Sequence, residues 1–145
     1  MIQRKQSLWL FLAALLNAGV FYFGFYTYHT LATGADTVQQ LRVNDNFPSL
    51  LIALVITLLP LVTIFFFNNR KRQVKMSWFS ILGIILFIAL LLWRVSGLAK
   101  IAPPPTNGSY WIGAVLPVIA LVFLILAIIG IRRDEKLVKS ADRLR

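Results

Sequence analysis

Four apolar runs, separated by short charged or polar stretches, occupy most of this chain, at about residues 7–28, 48–67, 76–93 and 110–131. A hydrocarbon layer about 30 Å thick takes about 20 helical residues at about 1.5 Å each. Every run comes close to that length. A chain of 145 residues leaves room for one such domain and little else. Hydrophobic residues make up 59% of it, against about 45–50% in soluble proteins. A water-soluble core this small could not bury so much apolar side chain, whereas lipid can. The expected fold is an all-α membrane protein. Four transmembrane helices form an up-down-up-down bundle over residues 1–131, and an amphipathic C-terminal helix follows over 132–145.

Details of the runs fit this expectation. The first follows Arg4 and Lys5. It exceeds the apolar core of a signal peptide, about 7–15 residues, and no A-x-A-like cleavage site follows it. The second holds fourteen Leu, Ile, Val or Phe residues between Leu50 and Phe67. Pro48 suits a first helical turn, and Pro60, in mid-span, is expected to kink the helix. Trp78 and Trp93 bracket the third run as interfacial anchors, with Lys75 and Arg94 placed to snorkel. Tyr110 and Trp111 open the fourth, and Arg132 and Arg133 close it. The two longer connections, 30–47 and 95–109, are expected to be loops. The second contains Pro103-Pro104-Pro105, a stiff segment, and Asn107-Gly108, a turn signal.

Charge orients the runs. If they alternate sides, the N-terminus, the 68–75 connection and the tail share one face and carry 12 basic residues; the other face carries three, Arg42, Arg94 and Lys100. The positive-inside bias puts the first face, with both termini, in the cytoplasm. The formal net charge of +10 is explained by topology, and no nucleic-acid partner is expected.

The residue inventory restricts the chemistry. There is no cysteine and a single histidine, His29, so no metal site, cofactor or catalytic residue is predicted and the chain is not expected to be an enzyme. No Asp, Glu, Lys or Arg lies near the middle of a run, which argues against ion-coupled transport. Asn17, the one amide near a midpoint, is a candidate interhelical contact, and Ala14 and Ala18 would allow close approach beside it. The aromatic stretch 21–29 reads as the end of the first helix in an interfacial belt. In the tail, Leu137, Val138, Ala141 and Leu144 share a helical face among charges. Asp134 and Glu135 could meet Arg4, Lys5 or the Arg70–Arg72 cluster. The candidate partner or lipid surface therefore comprises Arg4, Lys5, Arg70, Arg72, Asp134, Glu135, Leu137, Asp142 and Arg143.

Both ends resemble a known family. The opening Met1-Ile2-Gln3-Arg4-Lys5-Gln6-Ser7 matches M-I-Q-R-x-Q-x. The closing Asp134-Glu135-Lys136-Leu137-Val138-Lys139-Ser140-Ala141-Asp142-Arg143-Leu144-Arg145 matches D-E-x-L-V-x-S-x-D-R-L-R. These are the ends of small membrane proteins of Bacteroidota, number 4293 among the domains of unknown function. The resemblance implies a Gram-negative inner membrane and four helices, and transfers no activity. The expected function is a scaffold or accessory subunit acting through its cytoplasmic face. The expected partners are anionic lipids of the inner leaflet and a membrane protein or a second copy. The alternative is a lipid- or quinone-binding protein or small transporter using the aromatic stretch and the Pro60 kink.

Overall fold

The computed structural model describes residues 3–32, 35–67, 69–100 and 105–143. Four helices carry most of it: α1 (Gln3–Gly19), α2 (Phe47–Phe65), α3 (Arg70–Leu98) and α4 (Ile112–Arg143). They pack in sequence, α1 on α2, α2 on α3, α3 on α4, and α4 back on α1. Three stretches are long and apolar enough to cross a membrane: Phe47–Phe65, Arg70–Leu98 and Ile112–Val138. The apolar part of α1, Gln6–Gly19, is shorter.

One spacing rule governs the packing. Most buried positions step along each helix by alternate fours and threes, with Ala14, Ile81 and Ile128 buried beside them. The stepped positions are Gln6, Leu10, Ala13 and Asn17 on α1, with Val20 just after it, and Ser49, Ala53, Ile56, Pro60 and Thr63 on α2. On α3 they run Gln73, Ser77, Ser80, Ile84, Phe87 and Leu91, and on α4 Ala120, Leu124, Ala127, Ile131 and Asp134. A 3.5-residue repeat is the seam of helices packed at shallow crossing angles. This seam is rich in small and polar side chains, while the outward faces carry Leu, Ile, Val and Phe. Only 28% of the apolar window lies buried in α2 and in α3, and 33% in α4. Small seam residues let the helices approach closely, and Trp9 stacks on Phe123 at 5.4 Å to join α1 to α4.

A three-stranded antiparallel sheet was not expected. Strands β1 (Tyr26–Ala32), β2 (Ala35–Leu41) and β3 (Thr106–Tyr110) lie in the order β2-β1-β3. The first apolar run therefore does not stay helical to residue 28. After Gly19 the chain tightens: Val20 N–H reaches Asn17 O and Phe21 N–H reaches Ala18 O, both at 3.2 Å. From Phe25 the backbone bonds to other segments. Phe25 N–H donates to Leu41 O, and Trp111 N–H donates to Phe25 O, each at 3.0 Å. Alternating Tyr and Thr suit a pleated strand. Tyr28 Oη donates to Gln39 Oε1 at 2.9 Å, and Thr30 and Thr37 pair across β1 and β2. Asn107 of the expected turn instead lies inside β3, with a left-handed φ of 51°, where the β1–β3 register shifts. Pro103 and Pro104 lie outside the described residues.

The amphipathic tail is not a separate helix either. It is the continuation of α4, which runs unbroken through Ile131 to Arg143. The 68–75 connection is likewise mostly the start of α3, capped by Asn69 Oδ1, which accepts from Arg72 N–H at 3.3 Å. At about 1.5 Å per residue, α3 spans about 43 Å and α4 about 48 Å, well over the apolar thickness of a bilayer.

Gly113 marks where the sheet meets α4. Its N–H donates to Gly24 O at 3.0 Å, and a Cβ there would lie 2.5 Å from that oxygen. Gly113→Ala is expected to cost about 1–3 kcal/mol by forcing two backbones apart. Gly97→Ala, whose Cβ meets nothing within 4 Å, is expected to be neutral or slightly stabilising. Thermal unfolding in mild detergent would compare the two.

Candidate functional site

The polar members of the seam gather at two levels. The first is the end where α1 and α3 begin and α4 finishes. Gln6 is the earliest described seam side chain of α1, and Asp134 is the last of α4. Both are buried, and Gln6 Nε2 donates to Asp134 Oδ2. Arg70, at the start of α3, donates from Nη1 to the Asp134 carbonyl oxygen at 3.1 Å. Gln73 and Ser77 continue the buried polar layer along α3, and Ser77 Oγ donates to Gln73 O at 2.9 Å. The space enclosed by Gln6, Ser7, Phe67, Arg70 and Gln73 is about 10 Å³, enough for roughly one water. α4 and α1 come together tightly here, for a Cβ on Gly130 would sit 3.1 Å from Gln6 Cγ. This end is a clamp across three chain segments rather than a chamber.

Surface charge is sorted around that clamp. Asp134 turns inward. Arg132, Arg133 and Lys136 turn outward and, with Ile129, line an open groove of about 380 Å³.

The second level is mid-helix. Pro60 has no N–H, so the Ile56 carbonyl one turn earlier loses its helical donor. Asn17 Nδ2 supplies one from α1, at 3.1 Å. Both partners are fully buried. Thr57 and Thr63 bond back to Ala53 O and Leu59 O, at 2.8 and 2.7 Å, and so serve other carbonyls of the same helix. Asn17 Oδ1 is buried with no partner among the described residues.

At the opposite end Arg94 does not snorkel outward. Its guanidinium lies over the buried Phe25 ring, 5.3 Å from the centroid. Nη1 donates to Arg42 O at 3.0 Å and to Ser49 Oγ at 3.4 Å. One cation thus ties α3 to the start of α2 and to the segment that feeds the sheet.

The structure brings together Asp134 and Arg70 of the surface expected from sequence. Arg72 is exposed, its backbone used in the α3 cap. Glu135 is half-buried and Leu137 exposed. The side chains of Arg4, Lys5, Asp142 and Arg143 lie outside the described residues. Within the clamp the acid takes a glutamine, not a cation, on its carboxylate. Sequence reasoning passed over Gln6, Gln73 and Ser77. Their signal is the four-three spacing, which places each in register with the apolar seam positions that follow.

The chain belongs to the family described as Domain of unknown function (DUF4293), which it matches over residues 2–144. No curated protein and no solved structure matches it.

The Asn17–Ile56 bond and Pro60 form one unit, and a double-mutant cycle tests it. Asn17→Ala is expected to cost roughly 1–3 kcal/mol by leaving the Ile56 carbonyl unbonded. In a Pro60→Ala background the returned N–H serves that carbonyl, and the cost should shrink by on the order of 1 kcal/mol. Additive losses in detergent unfolding would mean that Asn17 does not serve this carbonyl.

Proposed function

We propose that this chain is an integral protein of a bacterial inner membrane, non-enzymatic, serving as a scaffold or accessory subunit through a cytoplasmic face. The observation that carries the membrane reading is its inverted polarity. Gln, Asn, Ser, Thr and Asp share the buried seam with apolar residues, while the exposed faces of the helices are almost wholly Leu, Ile, Val and Phe. Water would select the reverse arrangement, whereas lipid tolerates apolar surface and concentrates polar contacts between helices.

Four spans in up-down-up-down order follow on this reading. In α1 the described apolar helix rises about 21 Å from Gln6 to Gly19, and the buried Val20 and Phe25 of the following turn extend its apolar length. The charge bias then sets direction. The clamp gathers the starts of α1 and α3 and the finish of α4, and these segments carry most of the basic residues. The positive-inside bias makes that end cytoplasmic and the sheet periplasmic. A reporter fused after Arg145 should be active in its cytoplasmic form, and one inserted within 99–107 in its periplasmic form. The opposite pattern overturns the orientation.

The scaffold reading rests on what α4 presents beyond its cations. Leu137 and Val138 are 51% and 45% exposed on the turn after Lys136, where the helix has left the apolar layer. That adjacent apolar pair, beyond the membrane and beside the cations, is the surface the reading assigns to a partner. A photo-crosslinking residue at 137 or 138 should give a discrete adduct, a membrane-protein partner or a second copy. Leu137→Glu/Val138→Glu should abolish the corresponding co-purification. No adduct at either position, or identical partners from wild type and variant, counts against it.

A further inference from the structure

We propose that Arg132, Arg133 and Lys136 form a binding site for the phosphate of an anionic phospholipid whose acyl chain lies on Ile129, Ile125 and Val122. The proposal rests on the membrane reading above and adds a site to it. Three observations support it. The first is helical spacing. Residues 129, 132, 133 and 136 fall on one face of α4 and line one open groove of about 380 Å³. That face continues the exposed stripe of Val122, Ile125 and Ile129, so acyl-chain surface leads directly to cationic surface.

The second is depth. From Ile112 to Arg132 α4 rises about 30 Å, the thickness of the hydrocarbon core. Arg132 to Lys136 then covers about 6 Å, comparable to the headgroup layer on one side of a bilayer. Tyr110 and Trp111, both exposed, stand at the other boundary, where interfacial aromatics are expected.

The third is charge sorting. The tail as a whole is only weakly basic, because Asp134 and Glu135 sit among its cations. The structure takes Asp134 out of this cluster. Asp134 is turned into the seam, held by Gln6, while both arginines and the lysine face outward. All three cations are exposed and line the one groove. A phosphate arriving from the lipid side meets three positive groups, with the Asp134 carboxylate turned away into the seam. Guanidinium groups can hold its oxygens in paired hydrogen bonds, and interfacial basic clusters attract anionic lipid.

The test uses the full chain reconstituted in phosphatidylcholine nanodiscs containing about one fifth phosphatidylglycerol. It is then released into detergent and weighed by native mass spectrometry. Wild type should retain phosphatidylglycerol. Arg132→Gln/Arg133→Gln/Lys136→Gln should retain it about tenfold less. A charge-matched control, Lys71→Gln/Lys75→Gln/Lys100→Gln, should retain it as wild type does. Unfolding temperatures verify that all three fold. Equal retention by wild type and the α4 variant overturns the site, and equal loss in the two variants replaces it with diffuse attraction. Extraction of the wild type from native membranes by alkaline carbonate would overturn the membrane reading itself. A chain that resists carbonate and loses nothing in the α4 variant would overturn only the groove.

Discussion

The Ile56 carbonyl is the point on which the arrangement of the helices turns. Pro60 strips it of its helical donor, and the site is fully buried. An unbonded carbonyl in an apolar setting costs several kcal/mol. Asn17 removes that cost from a different helix, which makes the remedy a tertiary constraint. α1 can neither slide nor rotate on α2 without breaking the bond. Once Asn17 is placed, the same face of α1 presents Gln6 about three turns earlier, opposite Asp134 of α4. Trp9, on the neighbouring flank, meets Phe123. A proline that weakens one helix thereby sets the register of a second helix against a third.

The two ends follow from that register and are built differently. At the basic end the polar groups are amides, hydroxyls and one acid, satisfied by neutral donors and by Arg70. At the other end the helices hand over to a sheet, and the junction is made by backbone. Phe25 exchanges hydrogen bonds with Leu41 and Trp111, and Gly24 accepts from Gly113. Arg94 closes this end by covering the Phe25 ring while its donors reach Arg42 O and Ser49 Oγ. That use of an arginine depends on its planar face and its forked donors together; lysine offers neither.

Much of the helical layout was legible in the sequence because long apolar runs are a strong signal. The seam was also written there, in the four-three spacing of Gln6, Leu10, Ala13 and Asn17, but it was masked. In a soluble helix the outward face is polar, whereas here it is as apolar as the buried one, so an apolar count does not pick out the seam. The sheet was missed for another reason. Tyr26-Thr27-Tyr28-His29-Thr30 follows an apolar run without a break, and aromatic rings count both as interfacial anchors and as strand formers. Only the partners decide, and these lie in β2 and in β3, the latter more than seventy residues away. The unbroken passage of α4 into the tail was hidden by the change from apolar to charged composition at Arg132. Composition changes there, yet Gly130 stays helical and no Gly or Pro follows it up to Arg143, so the helix runs on.

That continuity has a consequence for the charged segment itself. A tail joined by a flexible linker would average its charges over many orientations, and its acids and bases would largely cancel. A tail that is the rigid extension of a packed helix cannot do so. The seam repeat that buries Ala127 and Ile131 reaches Asp134 at its next step and draws it inward. Arg132, Arg133 and Lys136 fall between seam positions and are left outside by the same geometry. The acid thus contributes to holding α1 and α3, while the cations remain available at the surface. Packing deep in the helices, set by Asn17 and Pro60, decides which sign of charge the chain displays at its basic end.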